Sequence, residues 1–323
     1  MHIRPVFLTI VLSSSFLGLT SGGCDPADVG DTPAEQSSST SSSSAGSGAG
    51  SGASSATSAS STGAGGASSG GDGGGTAGGP ANLGGGGDGG GGSAELPEVS
   101  VYIAGDSTVQ TYTNSPIHQA GWGQFLGEFF DARVHIENRA IGGRTARRFI
   151  DEGRLDDVLD DLQSGDYFLV QFGTNDSNRN ATYEHDGATI PYYLDPATDF
   201  KSYLTQYIEG AQGRDAIPVL VTPPPRRSCT GDSHEFGNGL AAYAGAMREL
   251  GSALDVAVID LNERTLARLR TIGCEAAGRD FFLVRADGSV DGTHFQETGA
   301  HFMAGFVADG AADAGLLLGQ YRE

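Results

Sequence analysis

The sequence has few positive charges, and this scarcity excludes one class of partners. Its 323 residues include 19 lysines and arginines against 40 aspartates and glutamates, for a net charge of −21. Binding to a nucleic-acid backbone depends on clustered cations that neutralise phosphates. We therefore expect no nucleic acid among the partners. Any acidic substrate must be held by individual arginines rather than by the overall charge.

Cysteine is also scarce, and the chain has three: Cys24, Cys229 and Cys274. Neither Cys229 nor Cys274 sits in a metal-ligand cluster. An odd number of cysteines in an exported protein raises the question of which thiol is unpaired. Lipidation of Cys24 would leave Cys229 and Cys274 to form a disulfide in an oxidising compartment. The alternative is ordinary secretion, with Cys24 free or removed.

The N-terminus lacks an apolar run long enough to be a convincing membrane span. Residues 1–23 instead have the pattern of an export signal, with Arg4 at the start, short apolar stretches, and small residues at the end. The six residues that end at Cys24 resemble a bacterial lipobox, although Ser21 stands where an aliphatic residue is usual. We expect export, with Cys24 as the candidate lipid anchor and no other membrane attachment.

Residues 24–98 contain little that could form a core. From about residue 34 to residue 94 the chain is almost entirely Ser, Gly, Ala and Thr, without an apolar period. Such a segment cannot bury enough surface to offset the entropy lost on ordering, so we predict a disordered tether. Residues 99–323 are numerous enough for a single domain with a full core.

Apolar runs alternate with helical patterns along this domain. Strands are predicted at 99–104, 134–137, 167–172, 217–221 and 256–261, and helices at 123–130, 146–162, 197–212, 238–254 and 296–316. The alternation predicts an α/β fold with a parallel sheet covered on both faces. Because parallel strands end at a common edge where ligands bind, residues that follow strand ends should meet there. They include Ser107, Gly143, Asn175 and Arg226.

A serine, a histidine and an aspartate have the order and spacing of a nucleophilic device. Ser107 follows the first predicted strand in a Gly-Asp-Ser turn, and Asp291 precedes His294 by three residues. His294 could take the Ser107 proton while Asp291 fixes the imidazole. Taken singly, Ser107 could be a helix N-cap and Asp291 could close a turn before the last helix. Two further blocks, 138–143 and 173–176, lie between Ser107 and Asp291, and the ordered combination favours catalysis.

Those two blocks supply candidate donors for an oxyanion, which acyl transfer generates and which needs donors already in place. The candidates are the backbone N–H groups of Ser107 and Gly143 and the side-chain amide of Asn175. Gly143 allows a close approach of backbone to ligand, and Asn175 is an uncharged donor. A plain loop at Gly143 and a turn-capping amide at Asn175 are the simpler interpretations of each alone.

Together the blocks resemble the SGNH (or GDSL) hydrolase superfamily, and more narrowly the rhamnogalacturonan acetylesterases. The matching segments are 104–109, 121–124, 138–147, 149–154, 173–176, 222–227 and 291–294. The resemblance implies a three-layer α/β/α, flavodoxin-like fold with a five-stranded parallel sheet, and a serine esterase without metal or other cofactor. It places the nucleophile on Ser107, the oxyanion donors on Ser107, Gly143 and Asn175, and the acid–base pair on Asp291 and His294.

Substrate contacts are less well defined by the sequence. Arginine suits bidentate contact with the carboxylates of a pectic backbone. Six arginines follow predicted strand ends, although solvation or pairing with acids would explain each as well: Arg144, Arg147, Arg148, Arg179, Arg226 and Arg227. The candidates chosen from them are Arg144, Arg226 and Arg227. Trp122, the only tryptophan, could stack on a sugar or pack in the core. Thr174 stands where the resembled pattern has histidine, and the expanded, tyrosine-rich stretch at 179–191 could change substrate preference.

These features predict an exported, monomeric esterase that removes O-acetyl groups from an acetylated plant polysaccharide, through an acetyl-enzyme on Ser107. Pectic rhamnogalacturonan is the expected polymer. Acetylxylan, lipid acyl or thioester groups, and acyl transfer on cell-wall glycans stay open as other uses of the same chemistry. A non-catalytic carbohydrate-binding surface protein is the alternative outside the enzymes, although a binder has no need of Ser107 and His294 together.

Overall fold

The computed structural model describes residues 96–323. The predicted export signal at 1–23, Cys24, and nearly all of the predicted tether at 24–98 lie outside the described residues. No helix between residue 96 and the C-terminus is long and apolar enough to cross a membrane.

The described chain contains ten strands and seven α-helices. The strands are β1 (Val99–Gly105), β2 (Gln119–Ala120), β3 (Val134–Asn138), β4 (Tyr167–Gln171), β5 (Thr182–His185), β6 (Ala188–Pro191), β7 (Ile217–Val221), β8 (Ala257–Ile259), β9 (Phe282–Val284) and β10 (Val290–Gln296). The helices are α1 (Ala146–Asp151), α2 (Arg154–Asp161), α3 (Asp199–Gln212), α4 (Ala241–Leu254), α5 (Leu261–Ile272), α6 (Cys274–Asp280) and α7 (Glu297–Asp313).

Five parallel strands form the central sheet in the order β3-β1-β4-β7-β8. Successive side chains of a strand point to opposite faces. In β1, Val101 and Ile103 therefore pack into a core with α5, α6 and α7. Tyr102 and Ala104 pack on the other face with α1, α2, α3 and α4. This arrangement confirms the predicted three-layer α/β/α fold with a five-stranded parallel sheet.

Glycine explains where the predicted helices differ from the observed ones. The predicted helix at 123–130 is two short 3-10 helices, Trp122–Gln124 and Leu126–Phe129. Gly123 and Gly127 fall inside it, and glycine disfavours a continuous α-helix. The predicted segment at 146–162 is divided into α1 and α2 by Gly153, whose φ of 73° is left-handed.

Two parts of the chain were not predicted as regular structure. The tyrosine-rich stretch forms the antiparallel hairpin of β5 and β6. Toward the C-terminus, α5, α6, β9 and β10 follow the fifth strand of the main sheet, and β9 and β10 form a second small sheet with β2, which precedes β3. Three of these strands have only two or three residues or an irregular register, so period-2 alternation is too short to recognise.

Cys229 and Cys274 are joined by a disulfide with a Cα–Cα distance of 5.8 Å. The bond closes a loop of 45 residues between the segment that follows β7 and the first residue of α6. Cross-linking a loop of this length restricts the unfolded chain far more than the folded one.

Replacing both cysteines by alanine should lower the free energy of unfolding by about 2–4 kcal/mol, because the unfolded chain regains loop-closure entropy. Urea unfolding of the wild type and the double variant, each with and without reductant, measures the difference. Reductant should shift only the wild-type midpoint. Coincident midpoints for the oxidised wild type and the variant would contradict the expectation.

Candidate active site

Ser107, His294 and Asp291 meet in one hydrogen-bonded row. The Ser107 Oγ lies 2.9 Å from the His294 Nε2, across a sequence separation of 187 residues. The His294 Nδ1 lies 3.1 Å from Asp291 Oδ2. With the proton on Nδ1 donated to the carboxylate, Nε2 is left to accept the serine hydroxyl proton. This is the geometry that a serine nucleophile with its general base requires.

An irregularity in β10 allows Asp291 and His294 to face each other. Residues three apart on a regular strand point to opposite faces. In β10 the pairing register with β9 shifts between Val290 and Phe295, as at a β-bulge, which re-aims side chains. Asp291 Oδ1 accepts the backbone N–H groups of Thr293, at 2.8 Å, and His294, at 3.0 Å. The segment is thus a bulged strand in which Asp291 also forms the predicted Asx-turn.

The local bonds also keep Asp291 charged. Burial by itself would raise the pKa of Asp291, but the hydrogen bonds from the His294 ring and from the His294 and Thr293 backbone hold that pKa well below its usual range. The Arg285 guanidinium lies 2.9 Å from Asp291 Oδ2 and adds a positive neighbour. An ionised Asp291 can orient the imidazole and stabilise the imidazolium that forms when Ser107 is deprotonated.

Ser107 lies in a tight turn at the end of β1. The Asp106 carbonyl accepts the N–H groups of Val109 and Gln110, each at 3.1 Å. A Cβ added to Gly105 would approach Val109 Cγ2 to 2.6 Å, so the turn leaves no room for a side chain there. Among the described residues no helix begins at Ser107, which rules out a helix N-cap as the role of this serine.

The three candidate oxyanion donors retain free hydrogens. In the part of the chain that is described, the N–H groups of Ser107 and Gly143 donate to no protein acceptor. The Asn175 amide donates one hydrogen to the Arg144 carbonyl at 2.9 Å, which leaves its second hydrogen available. That bond also joins the Asn175 loop to the Gly143 loop. Gly143 has a φ of 75°, a left-handed conformation that favours glycine.

Sequence reasoning did not single out Asp176, whose buried carboxylate holds the Asn175 loop in place through backbone hydrogen bonds. Asp176 is fully buried, and its two carboxylate oxygens accept the N–H groups of Ala146 and Gly173, each at 2.8 Å. It therefore ties the Asn175 loop to the start of α1, just after Gly143. Burial raises the pKa of Asp176 to about 7, and these backbone donors limit the rise. Its position next to Asn175 was the only sequence signal.

Asp106 is a second buried carboxylate that the sequence analysis did not single out. It is fully buried beneath Ser107, and its Oδ1 accepts the N–H group and the hydroxyl of Thr108 at 2.9 and 2.7 Å. Burial raises the pKa of Asp106, while the Thr108 bonds and the nearby His294 oppose that rise. Asp106 therefore supports the turn rather than reaching substrate. No group of three or more His, Cys, Asp or Glu within residues 96–323 is arranged to hold a metal ion.

The structure corrects the suggested role of Trp122 in substrate binding. Trp122 is 0% exposed, and its indole N–H donates to Gln171 Oε1 at 2.7 Å inside the core. A fully enclosed ring cannot stack on a sugar. Thr174 is likewise buried at 2% exposure, so its side chain does not form a pocket wall.

The three candidate arginines occupy different environments. Arg144 forms a 2.9 Å ion pair with Glu152 and donates to the Gly142 carbonyl. The Arg227 guanidinium donates to the Cys274 carbonyl at the start of α6. Arg226 is exposed and donates to the Thr174 carbonyl at 2.8 Å, next to Asn175. Of the three, Arg226 combines exposure with a place beside the oxyanion donors.

Comparison with known proteins agrees with this geometry. The family model of the GDSL-like lipase/acylhydrolases matches residues 101–307. This chain belongs to the GDSL-like lipase/acylhydrolase family. The match covers every strand of the central sheet except the first two residues of β1, together with Ser107, Asn175 and His294.

Within the GDSL family, this chain is similar to curated rhamnogalacturonan acetylesterases. A probable rhamnogalacturonan acetylesterase, YesY of Bacillus subtilis, is 40% identical over 218 residues, which cover 68% of this chain and 94% of the relative. A rhamnogalacturonan acetylesterase of the same organism, RhgT, is 35% identical over 227 residues, with coverages of 68% and 92%. The solved structure of B. subtilis YxiM superposes with a TM-score of 0.58 at 28% identity, covering 69% of this chain and 58% of that one.

Removing the Asn175 amide tests the proposed oxyanion site. Asn175→Ala should lower kcat for ester hydrolysis by about 10²–10³-fold, because a preorganised donor to the developing charge is lost. KM should change much less, since the ground-state carbonyl needs that donor less. Steady-state kinetics on p-nitrophenyl acetate gives both constants. A variant that keeps its Tm and loses less than threefold in kcat would contradict the assignment.

The buried Asp176 predicts a pH-dependent stability. Because its folded-state pKa of about 7 exceeds the unfolded value, the stabilisation is complete below about pH 4 and is lost as the pH rises through 7. Asp176→Asn removes this titration. Relative to Asp176→Asn, the wild type should therefore lose on the order of 4 kcal/mol of unfolding free energy between pH 4 and pH 8. Urea unfolding at several pH values measures it, and parallel curves would refute it.

Proposed function

We propose that this protein is an exported serine esterase that removes O-acetyl groups from a pectic polysaccharide, rhamnogalacturonan, through an acetyl-enzyme on Ser107. The observation that carries the proposal is the row from Asp291 through His294 to Ser107, with separations of 3.1 and 2.9 Å. Donors without a protein acceptor at Gly143 and Asn175 support it, and their loops are joined by the bond from the Asn175 amide to the Arg144 carbonyl.

In the acylation step, the Ser107 Oγ attacks the acetyl carbonyl carbon while its proton passes to His294 Nε2. The carbonyl oxygen becomes an oxyanion and receives hydrogen bonds from the Ser107 and Gly143 N–H groups and from the Asn175 amide. When the tetrahedral intermediate collapses, the bond to the sugar oxygen breaks. His294 returns the proton to that oxygen, and the sugar hydroxyl leaves.

In the deacylation step, water takes the place of the sugar. His294 Nε2 removes a proton from this water as its oxygen attacks the acetyl carbonyl carbon of the acetyl-enzyme. The same donors hold the second oxyanion, and the bond to Ser107 Oγ then breaks with return of the proton. Acetate is released and the enzyme regains its starting state. Asp291, kept ionised by its hydrogen bonds, balances the positive imidazolium in both steps.

The choice of polymer rests on the relatives and on the exposure of the site. Two proteins that cover most of this domain are named as rhamnogalacturonan acetylesterases. The His294 side chain is 30% exposed, so the general base is reachable from solvent. Exposed polar residues follow Asn175 along the same loop, as suits a chain-like substrate crossing the site. They are Asn178, Arg179 and Asn180.

Export supports the same assignment. Residues 1–23 have the composition of an export signal, and the disulfide between Cys229 and Cys274 suits an oxidising compartment. A lipid on Cys24 would hold the domain at a cell surface through the segment at 24–98. Both features are consistent with an enzyme that meets a polymer too large to enter a cell.

Acetate release from several substrates tests the proposed function. Acetylated rhamnogalacturonan, acetylxylan and p-nitrophenyl esters of increasing chain length are compared at matched enzyme concentration. We expect the highest kcat/KM for acetate release on the pectic polymer. Ser107→Ala should lower every rate by at least 10³-fold and abolish covalent labelling by a fluorophosphonate probe.

Other outcomes would assign a different function. A preference for acetylxylan would change the polymer but keep the chemistry. Activity confined to long acyl chains would reject the polysaccharide substrate. A folded wild type that the probe does not label and that releases no acetate would indicate a carbohydrate-binding protein instead of an enzyme.

A further inference from the structure

Two exposed arginines at the loop of Asn175 lack an acidic partner, although this chain is rich in acids. Acidic residues outnumber basic ones by 40 to 19 in the sequence. Most arginines of the described domain accordingly have a carboxylate within the 4.0 Å ion-pair distance. Within residues 96–323, Arg179, Arg226 and Arg270 are exposed and have no carboxylate at that distance. Arg270 lies in the last turn of α5. The other two, Arg179 and Arg226, lie on or contact the loop of Asn175. Their charge is therefore available to a ligand.

Arg226 lies between the two halves of the catalytic site. Its guanidinium donates to the Thr174 carbonyl at 2.8 Å, immediately before Asn175. The next residue, Arg227, donates its backbone N–H to the Gly292 carbonyl at 2.7 Å, between Asp291 and His294. The Arg226 backbone is thus held at the loop of the general base, while its side chain reaches the loop of the oxyanion donor.

Arg179 lies four residues beyond Asn175 on the same loop. Its guanidinium carbon is 3.8 Å from the centre of the Tyr193 ring, and it donates to the Tyr193 hydroxyl at 2.6 Å. Stacking on an aromatic ring holds the planar group in a fixed orientation without neutralising it. Arg226 approaches the same loop through Ser177, at 3.4 Å from the Ser177 hydroxyl. Both cations therefore lie along one short segment.

We propose that Arg179 and Arg226 form a subsite for a uronate carboxylate of the polymer, beside the acetylated residue held at Ser107. This inference rests on the proposed function and names the part of the chain that would select an acidic polysaccharide over a neutral one. Guanidinium groups bind carboxylates through paired, charge-assisted hydrogen bonds. The subsite contributes no chemistry to acetyl transfer.

The other arginines near the site are less suited to this role. Arg144, Arg148 and Arg154 all contact the single carboxylate of Glu152, at 2.9, 2.8 and 2.5 Å. Arg227 directs its guanidinium to the Cys274 carbonyl. Arg179 belongs to the expanded stretch at 179–191, in which a change of substrate preference was expected, and Tyr193 lies just after that stretch.

The test compares an acidic polymer with its neutral counterpart. We would measure kcat/KM for acetate release from acetylated rhamnogalacturonan and from the same polymer after reduction of its carboxyl groups to primary alcohols. The ratio of the two values should fall about tenfold or more in Arg179→Gln/Arg226→Gln, as expected for lost charge-assisted bonds. The ratio cancels any general loss of activity from release of the Thr174 carbonyl.

Arg214→Gln is the control for loss of a positive charge at a distant place, and it matches the single variant Arg179→Gln in charge. Arg214 is exposed, pairs with Asp160 at 3.6 Å, and lies between α3 and β7 at the opposite, amino-terminal edge of the sheet. For this variant, the ratio of kcat/KM on the acidic polymer to kcat/KM on the carboxyl-reduced polymer should equal the wild-type ratio. Arg179→Gln alone serves if the double variant loses stability, because Arg179 makes no contact with the Thr174 carbonyl.

A binding measurement separates failure of the subsite from failure of the proposed function. Calorimetry of an unacetylated oligogalacturonide on a Ser107→Ala background should give a Kd about tenfold higher when both arginines are replaced. If this shift occurs but no acetate is released from either polymer, the subsite stands and the proposed substrate fails. If the ratio and the Kd both match the wild type, or the oligomer does not bind at all, the subsite is overturned.

Discussion

The hydrogen bond between Ser107 and His294 is the contact on which the rest of the site depends. It joins the end of β1 to β10, two segments that are 187 residues apart. The two strands belong to different sheets, because β1 is in the parallel sheet and β10 is in the small antiparallel one. The core cluster that contains Val101 and Ile103 of β1 also contains Phe295 of β10, so packing on one face of the central sheet joins the two segments.

Backbone hydrogen bonds provide the accuracy that this contact needs. The Asp106 carbonyl closes the turn of Ser107, and Asp291 accepts two backbone N–H groups within its own strand. Asp176 spans the loops of Gly143 and Asn175 with both of its oxygens. Each supporting group is a carboxylate or carbonyl that accepts several bonds. Side chains held in this way lose little entropy when substrate arrives, which favours preorganised catalysis.

The sequence was sufficient for the α/β fold because the strands β1, β4 and β7 are buried apolar runs and lie between recognisable helices. It also indicated Ser107, His294 and Asn175, because each residue adjoins a strand and belongs to a short block. The burial of individual side chains and their ion-pair partners could not be inferred from such local patterns. Trp122 and Thr174 follow strand ends or glycines but are enclosed by residues distant in sequence. The partner of Arg144, Glu152, became clear only when α1 was in place.

The β-bulge of β10 shows a further limit of local reasoning. A spacing of three residues between Asp291 and His294 fits a turn, and periodicity alone would place them on opposite faces of a strand. The register shift against β9 resolves the conflict, since it depends on a neighbour whose strand has only three residues. Sequence distance therefore predicted that the two side chains could meet, while tertiary pairing determined how they do so.

The available hydrogen-bond donors of the proposed oxyanion site and of the proposed carboxylate subsite are of two kinds, and the difference suits two tasks. Buried polar groups are normally paired, so unpaired donors gathered in one region mark a place for a ligand. Those nearest Ser107 are uncharged, which fits a charge that exists only during the reaction and must be released afterwards. Those on Arg179, farther along the loop of Asn175, and on Arg226, which reaches that loop from the segment after β7, are cationic and fit the permanent charge of the proposed uronate. The uncharged donors would thus serve acetyl transfer, while the neighbouring arginines would serve recognition of the polymer.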